Sequence, residues 1–232
     1  MPVIHTDAEN GHRKPAAPLY PRGDRGPACR GLSGRASIML PDTRLIAFDT
    51  SAAHCAAALL LGDRIITRID DMAKGQAEHL MPMLQEMLTA QGLTWHDLDG
   101  IGVGTGPGNF TGIRISVSAA RGLALGLGKP AVGVSVFDTT QRLSNRAQVA
   151  VPAPRDQAYL MDFDTMAKAV IVPFGGLGAA ALSTDHSPAA HVGCMAQIAA
   201  SRIGGDHPRP TPLYVRAADA APARDAAPVI LP

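Results

Sequence analysis

The chain has 232 residues, 46% hydrophobic but only 4% aromatic, so its core must be built mainly from Ala, Val, Leu and Ile. The formal charge is +1 and uneven: residues 1–38 carry six basic and three acidic groups, the remainder 15 and 17, which excludes the strongly basic character of a domain that grips nucleic acid alone. No apolar run approaches the ~18 residues that span a bilayer. Three widely spaced cysteines, Cys29, Cys55 and Cys194, with no CxxC, fit a reducing cytoplasm better than a disulfide scaffold or a zinc cluster.

Residues 1–38 are rich in Pro, Gly and Arg without apolar periodicity, so they read as a disordered basic extension, and Met39 is a natural alternative start. Strand-like runs follow at Leu45–Phe48, Ala56–Leu61 and Arg64–Ile69, the last two joined by Gly62-Asp63, a hairpin signal. From about Glu78 to Gln91, Leu80, Met83, Leu84, Met87 and Leu88 recur at helical spacing, and Pro82 must fall in the first turn or bend the helix. Trp95 and Leu98 anchor a connector.

Residues 102–126 carry the densest local signal. An apolar run ending at Val103 enters a loop in which Gly104, Gly106 and Gly108 alternate with Thr105 and Pro107, and a helix follows, capped by Asn109 or Thr111. Ile113, Val117, Ala120 and Ala124 form one apolar stripe of that helix; Ile115, Ala119, Gly122 and Leu123 form a second. A helix apolar on two sides needs two partners. A strand at Ala131–Val136 follows. The second half repeats the order of the first: strands at Ala147–Val151, Ala158–Phe163 and Ala169–Phe174, then a helix at Ala189–Ile203, which suggests an internal duplication. Residues 217–232 read as a loose tail.

The glycine loop fits no nucleotide fingerprint. Gly112 comes one residue late for G-x-G-x-x-G, and Gly128-Lys129 runs into Pro130 rather than Ser or Thr. Two readings stay open: a helix N-terminus offering amides to an anion, or a tight turn that lets strand and helix pack closely. Asp49, Thr50 and Ser51, with Gly106 and Gly108, could hold a nucleotide phosphate, or the first three could hydrogen-bond their own turn. His186, His191 and Cys194 are spaced H-x4-H-x2-C, which keeps the histidines off one helical face, and no metal site is expected. There is no Ser-His-Asp elbow, no H-E-x-x-H and no activated-cysteine context, so no catalytic residue is assigned.

Four segments carry a resemblance: residues 45–51 (LIAFDTS), His79-Leu80-Met81-Pro82, residues 104–114 (GTGPGNFTGIR) and Pro212-Leu213-Tyr214-Val215-Arg216. They resemble the bacterial TsaB (YeaZ) family, closely over residues 43–138 and thinly from 139 to 211. The resemblance implies an α/β, actin-like ATPase fold of two β-β-β-α-β-α lobes, with residues 39–138 as the first lobe and 139–216 as an abbreviated second. It implies a non-catalytic scaffold that dimerises with the catalytic subunit TsaD. With the ATPase TsaE, that complex transfers a threonylcarbamoyl group to the adenosine next to the anticodon of tRNAs reading codons that begin with A. It further implies a cytoplasmic protein without membrane contact, tRNA contacted indirectly through the complex, a homodimer when alone, and no resident cofactor, with ATP or ADP held weakly at the complex interface.

Catalytic relatives carry H-x3-H after the long helix; here the segment reads Val134-Ser135-Val136-Phe137-Asp138. The family heterodimer pairs first-lobe helices, which places His79, Leu80, Met83, Met87, Ile113, Ile115, Ala119, Gly122 and Leu123 at the partner interface. A stand-alone enzyme of the sugar-kinase type, with Gly175–Gly178 as its second phosphate loop, and a glycoprotease-like hydrolase are the competing readings.

Overall fold

The computed structural model describes residues 42–166 and 168–216. The expectations for residues 1–38, Met39, Cys29 and residues 217–232 lie outside them.

Two mixed sheets form the frame. The first contains β1 (Arg44–Asp49), β2 (His54–Leu61), β3 (Arg64–Asp71), β4 (Gly100–Gly104) and β5 (Ala131–Val134) in the order β3-β2-β1-β4-β5. β1, β4 and β5 run parallel, while β2 and β3 are antiparallel additions in which Phe48 faces Ala57 and Ala57 faces Arg68. Because successive side chains point to opposite faces, β1 divides between two cores. Ile46 and Phe48 face α1 (Gln76–Thr89) and α2 (Phe110–Leu127); Leu45 and Ala47 face α4 (Pro188–Arg202). β2 splits in the same way, Cys55, Ala57 and Leu59 to one side and Ala56, Ala58 and Leu60 to the other. With both faces covered, these strands read as continuous apolar runs rather than alternating ones.

The side under α4 explains the composition. A Cβ on Gly102 would sit 2.9 Å from the Cβ atoms of both Ala199 and Ala47, so helix and sheet approach as closely as small side chains permit. Cys194, Ala196 and Ala199 are buried there. An aromatic side chain would hold the two layers apart.

The second sheet has the order β8-β7-β6-β9, from β6 (Gln148–Ala153), β7 (Gln157–Asp162), β8 (Val170–Pro173) and β9 (Ala181–Leu182). β6, β7 and β8 form an antiparallel meander and β9 lies parallel to β6, which repeats the relation of β1, β2, β3 and β4. Between β8 and β9 there is only a short 3-10 turn, Phe174–Gly176, where the first lobe has α1. α3 (Val136–Ser144) packs on this sheet through Phe137, against Val149 and Val151.

Three sequence expectations change. The strand expected over 131–136 stops at Val134, because Ser135 and Asp138 form a reciprocal capping box that starts α3, an element the strand reading passed over. The helix expected at 189–203 forms but covers the first sheet, not the second. Met83, Leu80, Met87 and Ile113, expected at a partner interface, are at most 4% exposed and fill the first-lobe core.

Candidate functional site

The glycine loop and the Asp49–Ser51 turn meet at the C-terminal ends of β1 and β4. Asp49 Oδ2 accepts from the Ser51 amide at 3.0 Å and the Ser51 hydroxyl at 2.8 Å, so the carboxylate folds its own turn. Thr50 Oγ1 donates to the Gly112 carbonyl at 2.6 Å. The Ser51 carbonyl accepts from the Asn109 amide at 2.7 Å, and the Asn109 side chain caps α2 by accepting from the Gly112 amide at 2.9 Å. Cβ atoms at Gly104, Gly108 and Gly112 would collide with the Asp49 carboxylate, the Ser51 carbonyl and the Thr50 carbonyl respectively.

The glycines are therefore spaced to let this turn lie against the start of α2. Of the two open readings, close packing is what the geometry displays. The hydroxyls of Thr50 and Ser51 are spent inside the lock, and the Gly106 carbonyl accepts from the Val136 amide at 2.8 Å. Asp49 Oδ1 is buried without a hydrogen-bond partner among the described residues, with His54 Nε2 at 4.0 Å from Oδ2.

The first-lobe helices turn a different set of residues outward from the one expected. Ile115, Ala119 and Leu123 are half-buried and pack on the core that holds α1 and α2, so the second stripe of α2 is partly satisfied within the chain. Gly122 is exposed, and among the described residues nothing lies within 4 Å of a Cβ built on it. The large apolar groups left outside on these helices are Met81, 37% exposed, Phe110, 42%, and Leu125, 87%. Phe110, Arg114, Ser118, Arg121 and Leu125 share one face of α2 at i, i+4, i+8, i+11 and i+15. That spacing could have been read from sequence; the two shorter apolar stripes obscured it.

His79 is half-exposed and anchored. Its Nε2 lies 2.6 Å from Asp70 Oδ2 on β3, Arg68 pairs with the same carboxylate at 2.8 Å, and Arg68 Nη1 reaches Glu86 at 2.7 Å on α1. Partial burial pushes the Asp70 carboxyl up, but the hydrogen bonds and charges of Arg68 and His79 outweigh it and hold the group below its usual range. Burial, aided by the Asp70 and Asp49 carboxylates, pushes the Cys55 thiol up to about 11.

His191 on α4 bridges to Thr139 Oγ1 at 2.7 Å and to the Ser183 carbonyl at 2.8 Å, and burial lowers its pKa. His186 sits edge-on to it at 6.0 Å, and Cys194 is buried in the α4 core, so the H-x4-H-x2-C spacing assembles no ligand set among the described residues.

The late motif Pro212–Arg216 returns to the start of α2. The Leu213 amide donates to the Thr105 carbonyl at 2.8 Å, the Phe110 and Tyr214 rings lie 5.0 Å apart, and Arg114 donates from Nε to the Tyr214 hydroxyl at 2.9 Å. The Arg114 guanidinium lies over the Phe110 ring at 3.7 Å. Two motifs a hundred residues apart thus form one surface cluster. Beside it, a groove of about 680 Å³ runs between residues 205–213 and β5, but its Arg202 is committed to Asp138 at 2.9 Å and to the Gly133 carbonyl at 3.4 Å.

Comparison with known proteins follows the same residues. The sequence model of the TsaD family, tRNA N6-adenosine threonylcarbamoyltransferase, matches residues 67–171. The chain is 35% identical over 96 residues to the tRNA threonylcarbamoyladenosine biosynthesis protein TsaB of Escherichia coli, covering 41% of this chain and 42% of that protein. To TsaB of Haemophilus influenzae it is 38% identical over 93 residues, covering 39% of each. The match thus spans about two fifths of the length of these curated relatives. The solved structure of YeaZ from Pseudomonas aeruginosa superposes with a TM-score of 0.59 at 25% identity, over 74% of this chain and 99% of that one. Matched in its first-lobe sequence and in the arrangement of both lobes, the chain has an actin-like α/β fold and is similar to the TsaB (YeaZ) proteins.

Proposed function

We infer that this chain is the accessory, dimerising subunit of an assembly that makes threonylcarbamoyladenosine in tRNA, pairing with a TsaD-type transferase and working alongside a TsaE-type ATPase. The observation that carries the reading is the first lobe. It resembles both the accessory proteins and the transferase family, yet the segment that carries H-x3-H in catalytic relatives is here Val134–Asp138, spent on ending β5 and capping α3. A related lobe without those histidines is suited to pairing with the transferase rather than duplicating it.

The outward face of α1 and α2 supports a partner contact. Met81 and Leu125 are exposed, and Gly122 lets another backbone come close. Covering a leucine as exposed as Leu125 contributes about 2 kcal/mol to association. This face, with His79, Ile115, Ala119 and Leu123 at its half-buried margin, replaces the core residues as the proposed interface. No catalytic group is assigned to the chain.

The test is reconstitution with the transferase and ATPase. Threonylcarbamoyl transfer to tRNA should require this chain, and Leu125→Asp should stop copurification with the transferase while the purified variant melts as the parent does. Transfer that proceeds at full rate without the chain overturns the function. Copurification that survives Leu125→Asp combined with Met81→Asp moves the interface elsewhere.

A further inference from the structure

The cluster at the start of α2 has a form that neither the lock beneath it nor the proposed partner face requires. Phe110 is 42% exposed, Tyr214 41% and Leu213 37%, so two rings and a leucine stay open to solvent at a point where the backbone is already tied down by the Leu213–Thr105 hydrogen bond. Arg114 is held in place over Phe110, its Nε–H committed to the Tyr214 hydroxyl, and its two terminal amino groups have no hydrogen-bond partner among the described residues. The two rings are tilted by 31° to each other and the guanidinium covers one face of Phe110, which leaves exposed ring surface beside fixed donors. Unpaired bases stack on such a surface, while the donors meet phosphate or a base edge.

The local charge agrees. Residues 100–137 contain Arg114, Arg121 and Lys129 and no Asp or Glu, and residues 207–216 contain Arg209 and Arg216 and again no acid. The two segments that build the cluster are thus purely basic, within a chain that is nearly neutral. A polyanion is favoured over an acid-poor protein surface as the occupant.

We propose that Phe110, Arg114 and Tyr214 form a stacking platform for an unpaired nucleobase of RNA, so that this chain contacts nucleic acid directly. The assignment rests on the proposed function only for which RNA arrives there, since the stacking geometry belongs to the chain itself. Phe110 and Leu125 are 15 residues apart on one helix face, about 22 Å along the axis, so base contact and partner contact are separable on α2.

The experiment measures anisotropy of a fluorescein-labelled single-stranded RNA of about a dozen nucleotides titrated with the full chain at low salt, alongside the same sequence as a duplex. The single strand should bind more tightly than the duplex. Phe110→Leu, which keeps apolar bulk but removes the π face, and Tyr214→Ala should each weaken binding about fivefold or more; Tyr214→Phe should retain most of it. Absence of binding by the parent chain, equal affinity for strand and duplex, or unchanged affinity in both Phe110→Leu and Tyr214→Ala overturns the platform. Copurification of Tyr214→Ala with the transferase is scored in parallel. Loss of the transferase with RNA affinity unchanged makes the cluster a protein contact and overturns the RNA assignment, whereas weakened RNA binding with the transferase retained supports it. The scaffold reading is judged separately, by Leu125→Asp.

Discussion

Thr50 and Gly112 grip each other across the first lobe. The Thr50 hydroxyl donates to the Gly112 carbonyl at 2.6 Å, and the Thr50 carbonyl occupies the space that a Cβ on Gly112 would need. The clash is with backbone, which cannot rotate away as a side chain could. Gly112→Ala should therefore destabilise the chain by about 1–3 kcal/mol through forced displacement of the turn. Gly122→Ala, on the open face of the same helix, should stabilise it by about 0.5–1 kcal/mol through helix propensity alone. Urea unfolding of both variants checks the pair, and equal effects of one sign would contradict the packing account.

Met83 separates core from surface on α1. It is fully buried, so Met83→Ala should cost about 2–5 kcal/mol, and Met83→Asp should leave too little stability for the lobe to fold. Leu125→Asp, at 87% exposure, should change stability by no more than about 0.5 kcal/mol. Circular-dichroism melts distinguish the two positions.

Acid should weaken the fold in two separate steps. Burial keeps the folded-state pKa of His191 below its ordinary value, so the unfolded chain binds the proton more readily; stability is complete above that ordinary value, about 6.5, and falls as pH drops through the folded pKa. Asp70 is held low by Arg68 and His79, so its contribution is intact above the ordinary aspartate value, about 4, and is lost as pH falls further. Unfolding free energy measured against pH should lose the upper step in His191→Gln and the lower step in Asp70→Asn. A parent profile that is flat between pH 7 and 5 would contradict the buried-neutral state of His191.

Cys55 and Cys194 are buried, and burial pushes the Cys55 thiol up to about 11. In a Cys29→Ser background, a thiol-reactive disulfide at pH 8 should label neither residue in the native chain, and both in denaturant. Fast labelling of the native chain would show that the first lobe opens far more readily than its packing implies.

Much of this architecture could be read directly from the sequence because its signals are local. Hydrophobic periodicity located α1, α2 and α4, the Gly62-Asp63 turn located the β2–β3 hairpin, and the loop of alternating glycines marked the β4–α2 junction. α3 also had a local signal, the Ser135–Asp138 capping box, but the apolar residues around it extended the preceding strand pattern.

The sequence alone determined the elements from β1 to α2 and the doubled β-β-β plan, since each depends on residues close together in the chain. Only tertiary structure decided which apolar groups face water. Periodicity gives a residue's place around a helix but not what covers it, and so Met83 and Ile113 looked like partner contacts until α1 and α2 were seen packed on β1. The same limit applies across long separations. Nothing near Tyr214 in the chain indicates that it lies on Phe110 and Arg114, because that meeting depends on residues 203–213 returning past the edge strand β5 to the start of α2.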